Sequence, residues 1–268
     1  MSTHATARTL PSDTAALTRS GMRPVVVVTG ATGGLGAQIC ETFAEAGFAV
    51  VAGYRSSADA AHALVKTLAG DGHCALPAPV TDTSALAGLA DTVTTRYGRC
   101  DVLVNCAGTT RFVAHENLDG VDDALIDDVL ATNVRGPFAM VRALSPLLRQ
   151  SDLPGGAVVI NISSIAAQTA MGSNVIYCAS KAALDNLTKS LARALAPAIR
   201  VVSVSPGLVD TEFVKSMDTA WRDEQAGRTP LGRLAQPEEI AIAVLAAVRD
   251  MRFTTGCVLP VDGGRPLR

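Results

Sequence analysis

Tyr177 and Lys181 stand four residues apart in N-V-I-Y-C-A-S-K, and Ser164 precedes the tyrosine by thirteen. On a helix, a spacing of four stacks phenol and ammonium on one face. An ammonium beside a phenol favours the phenolate, which suits a tyrosine to general acid–base work near neutral pH. A lone Y-x-x-x-K arises easily by chance. Ser164 gives it force, because a hydroxyl at a strand end can hydrogen-bond a substrate oxygen and polarise its carbonyl.

A second group of residues could hold phosphate. Thr29–Gly36 reads T-G-A-T-G-G-L-G after the β-branched run V-V-V-V-T. Gly30 lets the chain turn, and Gly34 and Gly36 leave room for a pyrophosphate and a strand at the start of a helix. The helix start offers unpaired N–H groups and a positive dipole end. Thr32, Gly33 and Leu35 complete the expected contact surface. Two spacings are satisfied, T-G-x-x-x-G-x-G through Gly34 and G-x-x-G-x-x-G through Gly33. A glycine-rich turn without a ligand is the alternative.

The end of the second strand bears on which dinucleotide. Val50–Ser57 reads V-V-A-G-Y-R-S-S. Tyr54 stands where an acidic residue would bind the ribose hydroxyls of NAD, and Arg55 follows. A guanidinium can clamp a 2′-phosphate through two parallel hydrogen bonds, with Ser56 and Ser57 as further donors. NADP(H) is the expected cofactor; a solvated Arg55 is the alternative.

These groups need a frame. Apolar runs at Val25–Thr29, Phe48–Ala52, His73–Ala78, Asp101–Asn105, Ala157–Ile162, Ile199–Val204 and Cys257–Val261 read as strands. Helical patterns alternate with them at Ala37–Ala46, Ala58–Leu68, Ser84–Tyr97, Asp123–Arg149, Ser173–Ala196 and Glu238–Val248. Pro137 and Pro146 are the expected breaks in the fourth helix, and Pro237 starts the last. The alternation predicts an α/β fold, a single Rossmann-type doubly wound domain with a seven-stranded parallel sheet flanked by helices. Ligands then bind beyond the carboxyl ends of the strands. The domain is expected over 24–268, behind an N-terminal tail over 1–23 that is read as disordered, with a transit peptide or a true start at Met22 as alternatives.

The chain has 268 residues, a net charge of -2 and 18% charged residues, so neither nucleic acid nor an anionic membrane is the expected partner. None of the six cysteines forms a C-x-x-C pair and the four histidines are scattered, so no metal site or disulfide framework is expected. No apolar run is long enough to span a bilayer.

Taken together, the motifs resemble the short-chain dehydrogenase/reductases over about Pro24 to Gly264. They are the glycine loop, N-C-A-G at Asn105–Gly108, N-V-R-G at Asn133–Gly136, Ser164 with Y-x-x-x-K, S-P-G-L-V-D-T at Ser205–Thr211, and V-D-G-G at Val261–Gly264. The chain length leaves no room for the extra substrate domain of the epimerase-like relatives and favours the compact branch. The resemblance implies a cytoplasmic oxidoreductase that interconverts carbonyl and alcohol, and a homotetramer. It implies that Asn133 holds a helix bend and a water linked to Lys181, Ser164 orients the carbonyl, Tyr177 donates the proton, and Lys181 binds the nicotinamide ribose. It also implies that Asn105, Ala107 and Gly108 line the adenosine ribose side, and that Pro206, Gly207, Val209 and Thr211 seat the nicotinamide. Pro79 stands where many relatives have an aspartate, which leaves Val80 as the adenine contact.

The expected substrate loop, about 211–237, carries Phe213, Val214, Met217, Trp221 and Leu231 with Arg222, Arg228 and Arg233. An apolar lid with basic residues suits an acyl chain on an anionic carrier, and the pattern is most similar to 3-oxoacyl-[acyl-carrier-protein] reductases. Pro197 and Ala198, however, occupy the place of a basic carrier-docking residue in some of these. A small ketone, sugar or cyclic alcohol remains the alternative substrate. A dinucleotide-binding regulator without turnover and an S-adenosylmethionine-dependent methyltransferase are rival readings; neither has a use for Ser164, Tyr177 and Lys181.

Overall fold

The computed structural model describes residues 18–267, apart from the side chain of Phe213; the expected tail therefore lies outside the described residues up to position 17. Residues 18–23 already touch the domain, where the Ser20 amide donates to Asp152 Oδ2 at 2.8 Å.

Seven strands form one parallel sheet: β1 (Val25–Thr29), β2 (Ala49–Tyr54), β3 (Cys74–Pro77), β4 (Val102–Asn105), β5 (Ala157–Ile162), β6 (Ile199–Pro206) and β7 (Val258–Val261). Their spatial order is β3-β2-β1-β4-β5-β6-β7, so the winding direction reverses between β1 and β4. The β-branched strands are buried on both faces, as parallel strands require. Alternate residues feed two cores. Val26, Val28, Val50 and Val104 pack on one face against Ile39 and Phe43 and against Ile240 and Val244. Val25, Val27, Leu103 and Val159 pack on the other, with Leu86, Met140 and Leu191. The helices supplying these faces are α1 (Gly34–Glu45) and α10 (Pro237–Arg249) on the first, and α3 (Thr83–Tyr97), α5 (Gly136–Leu148) and α7 (Val175–Leu195) on the second. The short α2 (Ala58–Thr67) follows β2.

The expected helix over Asp123–Arg149 is two helices, α4 (Asp123–Leu130) and α5, joined by a π-helical turn at Ala131–Arg135. The break lies at Asn133, not at a proline. Pro137 sits in the first turn of α5, where a missing N–H costs least, and Pro146 lies inside the helix near its end without breaking it. The third strand is shorter than expected, because the Val50 amide beside it is taken by His73 Nδ1 at 3.1 Å. Three short helices escaped the periodicity: α6 (Ala166–Thr169), α8 (Glu212–Lys215) and α9 (Thr219–Gly227). None is long enough to show an apolar stripe. No helix among the described residues is long and apolar enough to cross a membrane.

Candidate active site

The strand ends open onto one cleft of about 850 Å³. Its first wall is the glycine loop. Gly30 has φ +66°, and a Cβ there would lie 2.9 Å from Ala107 Cα; a Cβ on Gly36 would lie 2.2 Å from the Gly30 carbonyl oxygen. These two glycines, common to both possible spacings, are the ones a side chain would break. A Cβ on Gly33 or Gly34 would meet nothing closer than 3.5 Å. The first helix begins behind Gly33 without a side-chain cap, so its leading N–H groups keep their hydrogen-bonding capacity for an anion. Thr29 ties this loop to the next strand end: its Oγ1 accepts from the amides of Cys106 (3.1 Å) and Ala107 (3.0 Å).

Gly30, Thr32, Gly33, Gly34, Leu35, Gly36, Arg55, Ser56, Val80, Ala107, Gly108, Ser164, Tyr177, Lys181, Pro206, Gly207, Val209 and Thr211 all line the cleft. Three expected residues do not. Tyr54 turns aside, its ring tilted against His62 with centroids 6.3 Å apart. Asn105 is buried beneath the floor, where its Nδ2 donates to Asn161 Oδ1 at 2.9 Å. Asn133 lies behind the wall at the π-turn. Ser57, Thr81, Thr109, Thr110 and Ser163 join the lining.

Arg55 is exposed and has no ion-pair or hydrogen-bond partner among the described residues. Beyond β3, Ala78, Val80 and Thr81 present no acid. The next carboxylate, Asp82, is engaged as the cap of α3, accepting from the Ser84 hydroxyl and the amides of Ser84 and Ala85. Those bonds, the Ser84 hydroxyl first, hold it below the usual carboxylate range.

At the opposite end of the cleft, Ser164 follows β5 and its Oγ accepts from the Ala166 amide at 3.2 Å. Lys181 is buried, 6% exposed. Its Nζ donates to the Ile162 carbonyl at 2.8 Å and lies 5.7 Å from the centre of the Tyr177 ring. Among the described residues no carboxylate forms an ion pair with it. Asn133 accepts from the Thr109 amide (2.9 Å) and donates to the Thr109 carbonyl (3.0 Å) and Ser180 Oγ (3.1 Å). The π-turn therefore pins the loop after β4 to α7, between Tyr177 and Lys181. Such turns widen a helix locally and recur at functional sites.

Behind the cleft a polar row crosses three strands in register: Asn105 opposite Asn161, and Asn161 opposite Ser203. Asn161 Nδ2 donates to Thr188 Oγ1 on α7 at 2.8 Å, and Thr188 Oγ1 meets Ser203 Oγ at 2.8 Å. This row anchors α7 to the sheet. The sequence reading gave Asn105 another role and missed the row, because Asn161, Thr188 and Ser203 are ordinary small polar residues. Thr29 and Asn174 were missed for the same reason.

Cys106 also lines the cleft, and burial pushes its thiol up to about 11 against the weaker pull of the Lys181 charge, which leaves it protonated. Among the described residues no group of three or more His, Cys, Asp or Glu could hold a metal.

The expected substrate loop folds as α8 and α9, and Glu212 of α8 lines the cleft. Arg222 binds Asp210 at 2.7 Å, Arg228 binds Glu224 at 2.6 Å, and Arg233 binds Glu239 at 2.7 Å. None of the three arginines expected to receive a carrier presents an unpaired charge.

Comparison with known proteins converges on one group. The family described as enoyl-(acyl carrier protein) reductase matches residues 30–265. A ketoacyl reductase ascribed to the granaticin polyketide synthase of Streptomyces violaceoruber is 36% identical over 91% of this chain and 96% of its own length. A D-threitol dehydrogenase of Mycolicibacterium smegmatis is 35% identical over 91% of this chain and 93% of its own. The structure of a 3-ketoacyl-(acyl-carrier-protein) reductase from Brucella melitensis, complexed with NADH, superimposes with a TM-score of 0.81 at 29% identity, covering 91% of this chain and 98% of that one.

Proposed function

The chain belongs to the short-chain dehydrogenase/reductase family, and from that membership we propose that it is an NADP(H)-dependent reductase of 3-oxoacyl thioesters. The observation that carries the chemistry is the buried Lys181 ammonium, held by the Ile162 carbonyl and 5.7 Å from the Tyr177 ring at the cleft wall.

The residues present fit a dinucleotide: a Cβ would fill the cradle at Gly30 and Gly36, and the start of α1 is uncapped. The glycine loop would hold the pyrophosphate and Arg55 with Ser56 the 2′-phosphate. When bound, the nicotinamide supplies or accepts hydride at the substrate carbon. Ser164 hydrogen-bonds the carbonyl oxygen, and Tyr177 gives that oxygen its proton. Lys181, with its ammonium 5.7 Å from the Tyr177 ring centre, binds the ribose. Asn133 keeps the helix bend that sets α7 against the loop at Thr109. Reversing the steps oxidises an alcohol.

The paired lid arginines, with Pro197 and Ala198, support a second reading in which the substrate is a small ketone, sugar or cyclic alcohol free of any protein carrier. A cytoplasmic homotetramer is part of the proposal.

The test is NADPH consumption with acetoacetyl-CoA beside an NADH control. Turnover with NADPH alone supports both cofactor and substrate. Absence of turnover in protein that binds NADPH moves the substrate to the second class. Arg55→Ala is expected to weaken NADPH by about 10- to 100-fold, the loss of a charge-assisted pair worth roughly 1.5–3 kcal/mol, and to leave NADH unchanged. Equal weakening of both cofactors would remove Arg55 from the phosphate site.

A further inference from the structure

Asn174 is fully buried, at 0% exposure, yet all its side-chain atoms are used. Its Oδ1 accepts from the backbone amide of Tyr177 itself at 2.7 Å and so caps α7. Its Nδ2 donates to the Arg111 carbonyl at 2.7 Å and to Thr110 Oγ1 at 3.2 Å. One side chain thus joins the catalytic helix to the loop that supplies Thr109 and Thr110 to the cleft.

The neighbouring residues continue the seam. The Val113 amide donates to the Ser173 carbonyl at 2.8 Å, and Thr110 Oγ1 meets Ser173 Oγ at 2.5 Å. His115 Nε2 donates to the Gly172 carbonyl at 3.1 Å. Gly172 sits so close to the tyrosine that a Cβ would lie 3.0 Å from Tyr177 Cδ1 and 2.9 Å from Cys178 Sγ. The chain reaches this position through Ala170 at φ 55°, a conformation unfavourable for a residue with a Cβ. Such local strain persists where the surroundings over-determine it.

We propose that Asn174 is a positioning residue with two separable duties. Its oxygen sets the height and tilt of Tyr177, and its amide holds the 110–113 loop as the substrate-side wall. The inference rests on the reading of Tyr177 as proton donor. Its geometry concerns neither the glycine loop nor Arg55, so cofactor affinity should not respond.

Three variants separate the duties. Asn174→Ala removes both. Asn174→Ser keeps a good cap but cannot reach the Arg111 carbonyl. Asn174→Asp keeps the cap and turns a second acceptor towards that carbonyl. With the best carbonyl substrate, Asn174→Ala should lower kcat by up to about 100-fold, the penalty of a misplacement near 1 Å, with cofactor affinity unchanged. Asn174→Ser should recover most of kcat but keep a raised KM, and Asn174→Asp should show the same split. Should the alanine variant fail to fold, the serine and aspartate variants carry the test. Hydrogen exchange gives a readout that needs no turnover. The Tyr177 amide should lose protection only in the alanine variant, and the Val113 amide in all three. If the wild type reduces no carbonyl, the proposed function fails while the exchange pattern still judges the clamp. Wild-type kcat and KM in Asn174→Ala, equal kcat loss in the serine and alanine variants, or a fall in cofactor affinity matching the fall in kcat would each overturn the proposal.

Discussion

The two halves of the sheet build their share of the cleft by opposite means. On the β1–β2–β3 side the wall is made by leaving side chains out: Gly30 against Ala107 and Gly36 against the Gly30 carbonyl. Backbone then stands where an anion can meet N–H groups. On the β5–β6 side the wall is made by side chains that hold one another. Asn105, Asn161, Thr188 and Ser203 form the row beneath α7, and Asn133 and Asn174 fix the segments around Tyr177. On the proposed reading, the first half binds through absent volume and the second reacts through placed groups. Each should therefore fail in its own way.

The largest expected effect breaks the reactive half alone. Tyr177→Phe should lower kcat by about 10²- to 10⁴-fold, the usual worth of a general acid–base group, while NADPH affinity measured by fluorescence titration stays at the wild-type value. Loss of cofactor binding in step with kcat would mean that the halves are not separable.

Next comes the binding half. Gly36→Ala must displace the Gly30 carbonyl, an overpacking expected to cost about 1–3 kcal/mol, and should abolish measurable cofactor binding. Gly34→Ala has room, since its Cβ would lie 3.6 Å from Thr211 Cβ, and should fold with unchanged thermal stability. Equal damage from both would show that the phosphate-facing surface, rather than the crowding behind it, requires glycine.

Asn161→Ala tests the polar row. It leaves the Asn105 amide without its buried partner, while the Thr188 hydroxyl keeps Ser203 Oγ and the Leu184 carbonyl, at a cost of about 1–3 kcal/mol in urea unfolding. The β1–β2–β3 half should remain competent for NADPH.

The smallest effect lies at the base of the substrate lid. The Arg233 guanidinium, helped by the Gln236 amide, lowers the Glu239 carboxyl from 4.5 to about 2. Because the folded value lies below the ordinary one, the gain is present above about 4.5 and fades as pH falls towards 2. Both side chains are substantially exposed, so the pair is worth under about 1 kcal/mol. A carbon chemical-shift titration of Glu239 should show the depressed midpoint in the wild type and a return towards the ordinary value in Arg233→Ala.

The sequence by itself determined what local pattern can encode. The β-branched runs dictated parallel strands buried on both faces, and their alternation with amphipathic stretches dictated the doubly wound order. The T-G-A-T-G-G-L-G loop, Arg55, Ser164 and the four-residue step from Tyr177 to Lys181 were legible because each acts through its neighbours along the chain. Only the tertiary structure decided the rest. The resemblance implied a helix bend at Asn133, but the partners that make it, Thr109 and Ser180, lie far away in sequence. Tyr54 left the cleft because its ring packs against His62, and Asn105 left it because its partner is Asn161. The difference is physical. Periodicity and steric demand are properties of a short segment, whereas a hydrogen bond or ion pair depends on which distant residue the fold brings within about 3 Å.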